Sequence, residues 1–211
     1  MVNNLLSFNN SLPRLKANIR FLHAAAGGPS IDIYANGNLL SKNISFANIS
    51  NYNELSPGNY KMEMFKTGTY DTPLFSETVT LTPNSVLTVC IILDESNLEI
   101  LKISDIFTSK NINDSHMRFI NLSPNAPLLT LSLPNGITLF NGVEYLETTN
   151  YYLLSPGIYD FLLTATNDPS FRKFMRNVDL RKDLLHTIYI IGLTDVAPQL
   201  GYLYVTDGIT K

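Results

Sequence analysis

The chain has little charge, one cysteine and no tryptophan, and these shortages exclude several classes of protein. Charged residues make up 16% of the 211 residues, against about 25% in an average globular protein. The single Cys90 has no partner for an intramolecular disulfide and cannot build a metal site alone, which favours a reducing compartment. Lys and Arg number 15 against 18 Asp and Glu, so the basic excess that a nucleic-acid binder needs is missing.

Long hydrophobic runs are also missing. The longest strongly apolar runs, residues 89–93 and 188–191, are far shorter than the roughly 20 residues of a membrane helix. The first ten residues contain no Lys or Arg and no apolar stretch of signal-peptide length. We therefore expect no membrane span, and a location in the cytoplasm or at the cell surface without a visible signal peptide. Apolar residues still make up 45% of the chain, enough for a real core.

The strongest pattern is an internal repeat. Three segments recur at shifts of 98, 99 and 102 residues: 19–23 at 117–121, 52–60 at 151–159, and 98–105 at 200–207. The shift changes only at turn-rich places, which indicates two tandem copies of one domain. The repeat predicts these divisions: an N-terminal arm at 1–16, a first domain at 17–109, a linker at 110–114 and a second domain at 115–211.

Each copy has the residue pattern of a β-protein. Polar and apolar residues alternate in short segments, and turn signals follow about every ten residues, such as Asn36-Gly37, a strong hairpin signal. Residues 86–93 are almost continuously apolar, as expected of a central strand that is covered on both faces. About seven strands per copy predict an all-β protein made of two tandem immunoglobulin-like antiparallel β-sandwich domains.

Two segments also resemble a bacterial family, domain of unknown function 4397. Residues 23–37, from His-Ala-Ala-Ala-Gly-Gly-Pro to Asn-Gly, resemble the opening of that family, and residues 52–60 resemble its Y-x-x-L-x-P-G-x-Y element. The resemblance covers nearly the whole chain twice, and the second copy departs from it at Asn121 and Thr130. It implies a β-sandwich of a kind often found in exported or surface-associated proteins. No activity is assigned to the family.

His23 and Asp32 are the first candidates for chemistry. If their strands lie close together, imidazole and carboxylate meet as in part of a hydrolytic triad, but the chain contains no Gly-x-Ser-x-Gly nucleophile turn. The alternative, which we favour, is a structural hydrogen bond that fixes the loop at 24–30. Tyr34 on the same segment is a third candidate binding residue, because tyrosines can stack on sugars, although Tyr is also common in strands.

Other candidate sites have weaker signals. The three histidines, His23, His116 and His186, lack the spacing of metal ligands, and acidic residues do not cluster as in calcium sites, so neither a metal nor another cofactor is expected. A basic cluster lies at residues 172–182, with Phe171 and Phe174 beside it. Such a cluster can bind an anionic polymer, but we favour a charged edge strand.

These observations favour a non-catalytic interaction or structural module whose loops or edges meet a protein or glycan partner. The alternative is a carbohydrate- or cell-envelope-binding module, and the third hypothesis is a hydrolase that uses His23 and Asp32. Homo-oligomer formation stays open. Low charge and small domains also predict an apolar contact between the two halves. We expect Cys90 to be buried and unreactive, because its neighbours are apolar.

Overall fold

A computed structural model of the chain describes residues 15–95, 97–106 and 113–208, and every helix or strand assigned there is a β-strand. Eight strands form the first half: β1 Ala17–His23, β2 Ile31–Ala35, β3 Asn38–Ile44, β4 Asn53–Leu55, β5 Gly58–Lys66, β6 Phe75–Leu81, β7 Val86–Asp94 and β8 Asn97–Ser104. Eight more form the second half: β9 Ser115–Asn121, β10 Leu129–Ser132, β11 Thr138–Val143, β12 Tyr152–Leu154, β13 Gly157–Ala165, β14 Asp168–Leu180, β15 Leu185–Ile191 and β16 Gly201–Asp207.

The predicted arm lies outside the described residues except for residues 15 and 16. Of the predicted linker, only residues 113 and 114 are described. In the part of the chain that the structure describes, no helix is long and apolar enough to span a membrane.

The strands form four four-stranded sheets whose order repeats from one half to the other. The first half has the sheets β4-β1-β7-β8 and β3-β2-β5-β6, and the second has β12-β9-β15-β16 and β11-β10-β13-β14. Pairing is antiparallel except for β1 with β7 and β9 with β15, which are parallel. The prediction of an all-β chain with two β-sandwiches is confirmed, with eight strands per half rather than seven because β4 and β12 are separate three-residue strands.

Each sandwich has its own apolar core. In the first, side chains such as Phe21, Ile33 and Met64 are fully buried between the two sheets. In the second, Phe119, Leu131 and Leu163 have the corresponding places. Successive side chains of a strand point to opposite faces, so one face of each sheet covers a core. The core of each half is therefore built from its own residues.

A third apolar cluster lies between the two sandwiches. It contains Leu22 and Cys90 from the first half and Ile120 and Tyr189 from the second, all with 0% exposure. The strands that supply them, β1, β7, β9 and β15, are therefore covered on both faces. We call the two sheets that contain these strands the inner sheets, and the other sheet of each sandwich its outer sheet. The predicted apolar contact between the halves is confirmed. Cys90 is a buried free thiol, as expected, and burial raises its pKa.

Short turns with characteristic residues connect strands of the sandwiches, and the Ser-Pro-Gly turn recurs in both. Asn36 and Gly37 connect β2 to β3 with φ angles of 47° and 77°, the left-handed pair that a tight hairpin requires. After each Ser-Pro-Gly turn a tyrosine hydroxyl donates to the serine carbonyl, Tyr60 to Ser56 and Tyr159 to Ser155, at 2.8 Å in both. Tyr60 and Tyr159 therefore make the same hydrogen bond at equivalent positions of the repeated segment.

Candidate functional site

His23 lies at the end of β1 and is fully buried. Its Nε2 lies 2.9 Å from the Pro29 carbonyl oxygen, to which it donates. Burial lowers the pKa of His23, although the bond to Pro29 acts in the opposite direction. The side chain is thus a neutral imidazole that holds the loop at 24–30, as in the structural interpretation.

Asp32 is also fully buried, and its carboxylate joins β3 to the turn that follows β5. Its oxygens accept hydrogen bonds from Asn43 N at 2.7 Å, Gly68 N at 3.2 Å and Thr67 Oγ1 at 3.3 Å. Burial acts to raise the pKa of Asp32, but these donors hold it below the ordinary value. Asp32 therefore stays ionised as an acceptor for three donors.

The structure does not bring His23 and Asp32 together as a dyad. Their strands belong to different sheets of the sandwich, and Ile31 and Ile33, rather than Asp32, belong to the core cluster between those sheets. Each polar side chain has its own partners, and no hydrogen bond joins the two in the described structure. The geometry that a hydrolytic site would need is not formed.

Neutral residues take the same places in the second sandwich. Asn121 Oδ1 accepts from Ser123 N at 3.1 Å, beside the loop that follows β9. Thr130 Oγ1 accepts from Gly142 N at 3.1 Å and lies 3.2 Å from Thr166 Oγ1. At the shift of 99, Gly142 and Thr166 correspond to the Asn43 and Thr67 that bind Asp32.

Tyr34 belongs to an aromatic cluster on the outer sheet, defined by Tyr34, Phe65 and Tyr70. The ring of Tyr34 meets those of Phe65 and Tyr70 edge-on, with centroids 5.7 and 5.4 Å apart. Tyr34 donates a short hydrogen bond to the hydroxyl of Tyr70. This bond, with partial burial, raises the pKa of Tyr34 to about 12. Tyr70 is 57% exposed, so its ring is open to solvent.

Buried charged side chains cluster elsewhere, where the two inner sheets meet. Two arginines and two aspartates, each at most 5% exposed, form an interdomain charge cluster: Arg20, Arg118, Asp105 and Asp207. Each arginine comes from one half and pairs with an aspartate at the last strand of the other half: Asp207 ends β16, and Asp105 directly follows β8. Arg20 pairs with Asp207, and Arg118 Nη2 donates to Asp105 Oδ1 at 2.5 Å.

Each of the two arginines also donates hydrogen bonds to a threonine hydroxyl and to a backbone carbonyl. Arg20 Nε donates to Thr88 Oγ1 at 2.7 Å, and its Nη1 donates to the Thr206 carbonyl at 2.9 Å. Arg118 repeats the pattern with Thr187 Oγ1 and the Ser104 carbonyl, both at 2.7 Å. Both guanidinium groups therefore bind a threonine of their own sandwich and a carboxylate and a carbonyl of the other. Arg118 Nη2 also donates to Asp207 Oδ2 of its own sandwich at 3.2 Å.

Two tyrosines close the cluster. Tyr52 donates to Asp105 Oδ2 at 2.6 Å, and Tyr151 donates to Asp207 Oδ2 at 2.8 Å. Arg20 lies 4.5 Å from the ring centroid of Tyr52 and Arg118 lies 4.7 Å from that of Tyr151, within the range of cation–π attraction. These pairs come from the repeated Tyr element, so the cluster has approximate twofold symmetry.

Burial and the neighbouring opposite charges shift the pKa values of the cluster in opposite directions. Burial and the charge of Asp207 raise the pKa of Asp105, although both arginines lower it. Burial acts to lower the pKa of Arg118, but the charges of the aspartates outweigh it and the pKa rises. Both arginines therefore stay protonated, and the cluster serves to join the sandwiches.

The predicted basic cluster lies mainly on β14, which is an edge strand as expected. Arg172, Lys173 and Arg176 belong to this strand, and Arg181 and Lys182 follow it. Phe174 is 50% exposed, and Arg176 lies 5.5 Å from its ring centroid. Among the residues that the structure describes, none of these five cations forms an ion pair.

Sequence reasoning missed the interdomain charge cluster. The signal was present: Arg20 recurs as Arg118 and Asp105 recurs as Asp207 inside the repeated segments. A charge at the same place in two largely apolar strands indicates a buried pair. What the sequence did not provide was the packing of one copy on the other, which places each arginine beside the aspartate of the opposite half.

A family model described as Domain of unknown function (DUF4397) matches residues 17–132, which span the first sandwich and the strands β9 and β10. No curated protein matches the chain.

Proposed function

Since the chain belongs to the DUF4397 family, we propose that it is a non-catalytic interaction module built from two immunoglobulin-like copies of the family domain. The copies are residues 17–109 and 115–211. The equal strand order of the two halves and the recurrence of Arg, Thr, Tyr and Asp at the interface support a second copy beyond the matched residues. The module presents the loops or edges of its sandwiches to a partner.

The observation that carries this proposal is the interdomain charge cluster. Arg118 contacts Thr187 in its own sandwich and Asp105 in the other, and Arg20 makes the reciprocal contacts. These buried charges bind one another rather than a substrate. They join the inner sheets back to back, so that the two outer sheets face away from each other with a fixed relative orientation.

The test is binding without turnover. The full chain is applied to a glycan array and, immobilised, to an extract of its own source cells, and recovered ligands are analysed by mass spectrometry. We expect saturable binding of a chemically unchanged ligand, with equal affinity for the His23→Asn variant. Conversion of a ligand that is lost in both His23→Asn and Asp32→Asn would overturn the proposal in favour of a hydrolase.

A glycan is the second candidate partner, and the aromatic cluster of Tyr34, Phe65 and Tyr70 favours it. Aromatic faces bind the apolar faces of sugar rings, and the 57% exposure of Tyr70 leaves its ring available. The hydroxyl pair of Tyr34 and Tyr70 adds donors and acceptors beside that ring. We expect such a site to bind neutral sugars.

The Tyr70→Ala variant separates this candidate from other partners. If a glycan stacks on the cluster, Tyr70→Ala weakens its binding about fivefold or more, since stacking of a ring on an aromatic side chain is worth roughly 1–3 kcal/mol. Tyr202→Ala removes an exposed tyrosine of the second sandwich, 40% exposed, and serves as the matched control. Equal affinities of wild type and Tyr70→Ala for every bound glycan would exclude the cluster as the glycan site.

A further inference from the structure

The two outer sheets differ at one edge because β14 contains a bulge. In the first sandwich Tyr60 pairs with Val79 and Met62 with Glu77, whereas in the second Tyr159 pairs with Val178 and Phe161 with Met175. One residue more therefore separates the partners on β14 than on β6. Asn177, with φ 57°, lies in this bulge, and its N–H donates to Asp160 at 2.9 Å.

The bulge puts a lysine where the first sandwich has an aromatic ring. Phe75 pairs with Met64, and at the equivalent place Lys173 pairs with Leu163. Paired residues share a face of a sheet, and Leu163 is buried in the core of the second sandwich. Lys173 is thus on the core-facing side of the edge, while Phe174 moves to the outer face and is 50% exposed.

The space that a ring would fill is a groove of about 310 Å³ between β14 and β16. Its apolar floor is formed by four core residues, Leu163, Met175, Ile190 and Leu200. Lys173 and Tyr202 lie at its rim. This volume is at the lower end of the range of about 300–1,000 Å³ that small-molecule sites occupy.

Apolar side chains occupy the same edge of the first sandwich. Phe75 and Ile100, which correspond to Lys173 and Tyr202, pack against the core there. Lys102 Nζ of β8 also binds Glu77 Oε1 of β6 at 2.7 Å and joins the two sheets. By pairing register, Tyr204 and Met175 take the places of Lys102 and Glu77, so this ion pair has no counterpart in the second sandwich.

We propose that the groove between β14 and β16 binds a free anionic amphiphile, a monocarboxylate with one alkyl chain, whose chain lies on the apolar floor and whose carboxylate meets Lys173. Charge complementarity supports this ligand, because Lys173 lies at the rim of the groove and has no ion-pair partner among the described residues. The site lies in the other sandwich from the aromatic cluster around Tyr34, so failure of one leaves the other intact.

Titration of the full chain with decanoate, at concentrations below micelle formation, tests the proposal by calorimetry. We expect saturable binding to one site. Lys173→Gln is expected to weaken it about three- to fivefold, as for loss of one partly exposed ion pair, and 1-decanol is expected to bind equally to wild type and Lys173→Gln. Lys173→Phe restores the ring of the first sandwich and is expected to abolish binding by filling the groove.

Arg172→Gln is the matched control. Arg172 neighbours Lys173, and adjacent residues of a strand point to opposite faces, so this variant is expected to bind decanoate within twofold of wild type. Circular dichroism of each variant verifies the fold. The proposal is overturned if wild type shows no saturable binding, if Lys173→Phe binds as wild type does, or if Arg172→Gln loses as much affinity as Lys173→Gln.

Discussion

At the scale of single residues, different side chains make hydrogen bonds to backbone groups at matching positions of the two sandwiches. Asp32 receives the Asn43 N–H with an ionised carboxylate, and Thr130 receives the Gly142 N–H with a neutral hydroxyl. His23 and Asn121 likewise both bind backbone groups near the ends of their strands. The ionisable members therefore make the stability of the first sandwich depend on pH.

His23→Asn is expected to lower the free energy of unfolding by about 1 kcal/mol at pH 8, the value of one hydrogen bond. Folding lowers the pKa of His23 below 6.5, so its contribution is present above pH 6.5 and is lost as the pH falls through the folded value. The difference between wild type and variant should therefore shrink toward pH 5 in urea unfolding. Thr130→Val, which titrates in neither state, should show a constant difference.

His23 and Asp32 were candidates from the sequence alone, and both are buried and hydrogen-bonded. The sequence did not identify the groups to which they bind. A residue type indicates what it can bind, whereas its partner depends on which loops the fold brings near. Asn43 and Gly68, which donate to Asp32, are 11 and 36 residues away along the chain. The hydrogen bond of Tyr60 is local by contrast, because its acceptor carbonyl is only four residues away within the repeated segment 52–60.

At the scale of elements, the repeat predicts strand order well because turn residues carry it. The bulge in β14 was not predicted. The residue that β14 gains at the bulge is balanced by one residue fewer between Leu163 and Lys173 than between Met64 and Phe75, so the sequence shift stays at 99. Insertions in loops are visible instead: the shift grows to 102 across the loop between β15 and β16. In that loop Gly192 has φ 87°.

Gly192→Ala is expected to destabilise the chain by more than about 2 kcal/mol. A Cβ at this position would lie 2.5 Å from the backbone oxygen of Gln199, so strain in the left-handed region is added to a backbone clash. Gly37→Ala is the control, because its φ is 77° but its Cβ would meet nothing within 4 Å. The control should cost about 1 kcal/mol in the same thermal unfolding experiment; equal losses would show that the clash has no effect.

At the scale of the whole molecule, two small sandwiches behave as one structure through shared buried groups. The apolar cluster around Leu22 and Tyr189 excludes water from the interface, and the charge cluster of Arg20, Arg118, Asp105 and Asp207 fixes its orientation. Removal of one member of a buried ion pair typically costs about 3–5 kcal/mol, because the remaining charge loses its partner. A change in one half must therefore destabilise the other.

Hydrogen exchange of the full chain, read by mass spectrometry in Arg20→Met and wild type, tests this coupling most directly. Lys16→Met, which removes an exposed ion pair with Glu54, is the control and should change exchange little. We expect Arg20→Met to lower protection of β7 and of β15 by the same large factor, because both strands exchange through one cooperative opening. Loss of protection in β7 with β15 unchanged would contradict the account, since the two sandwiches would then unfold independently.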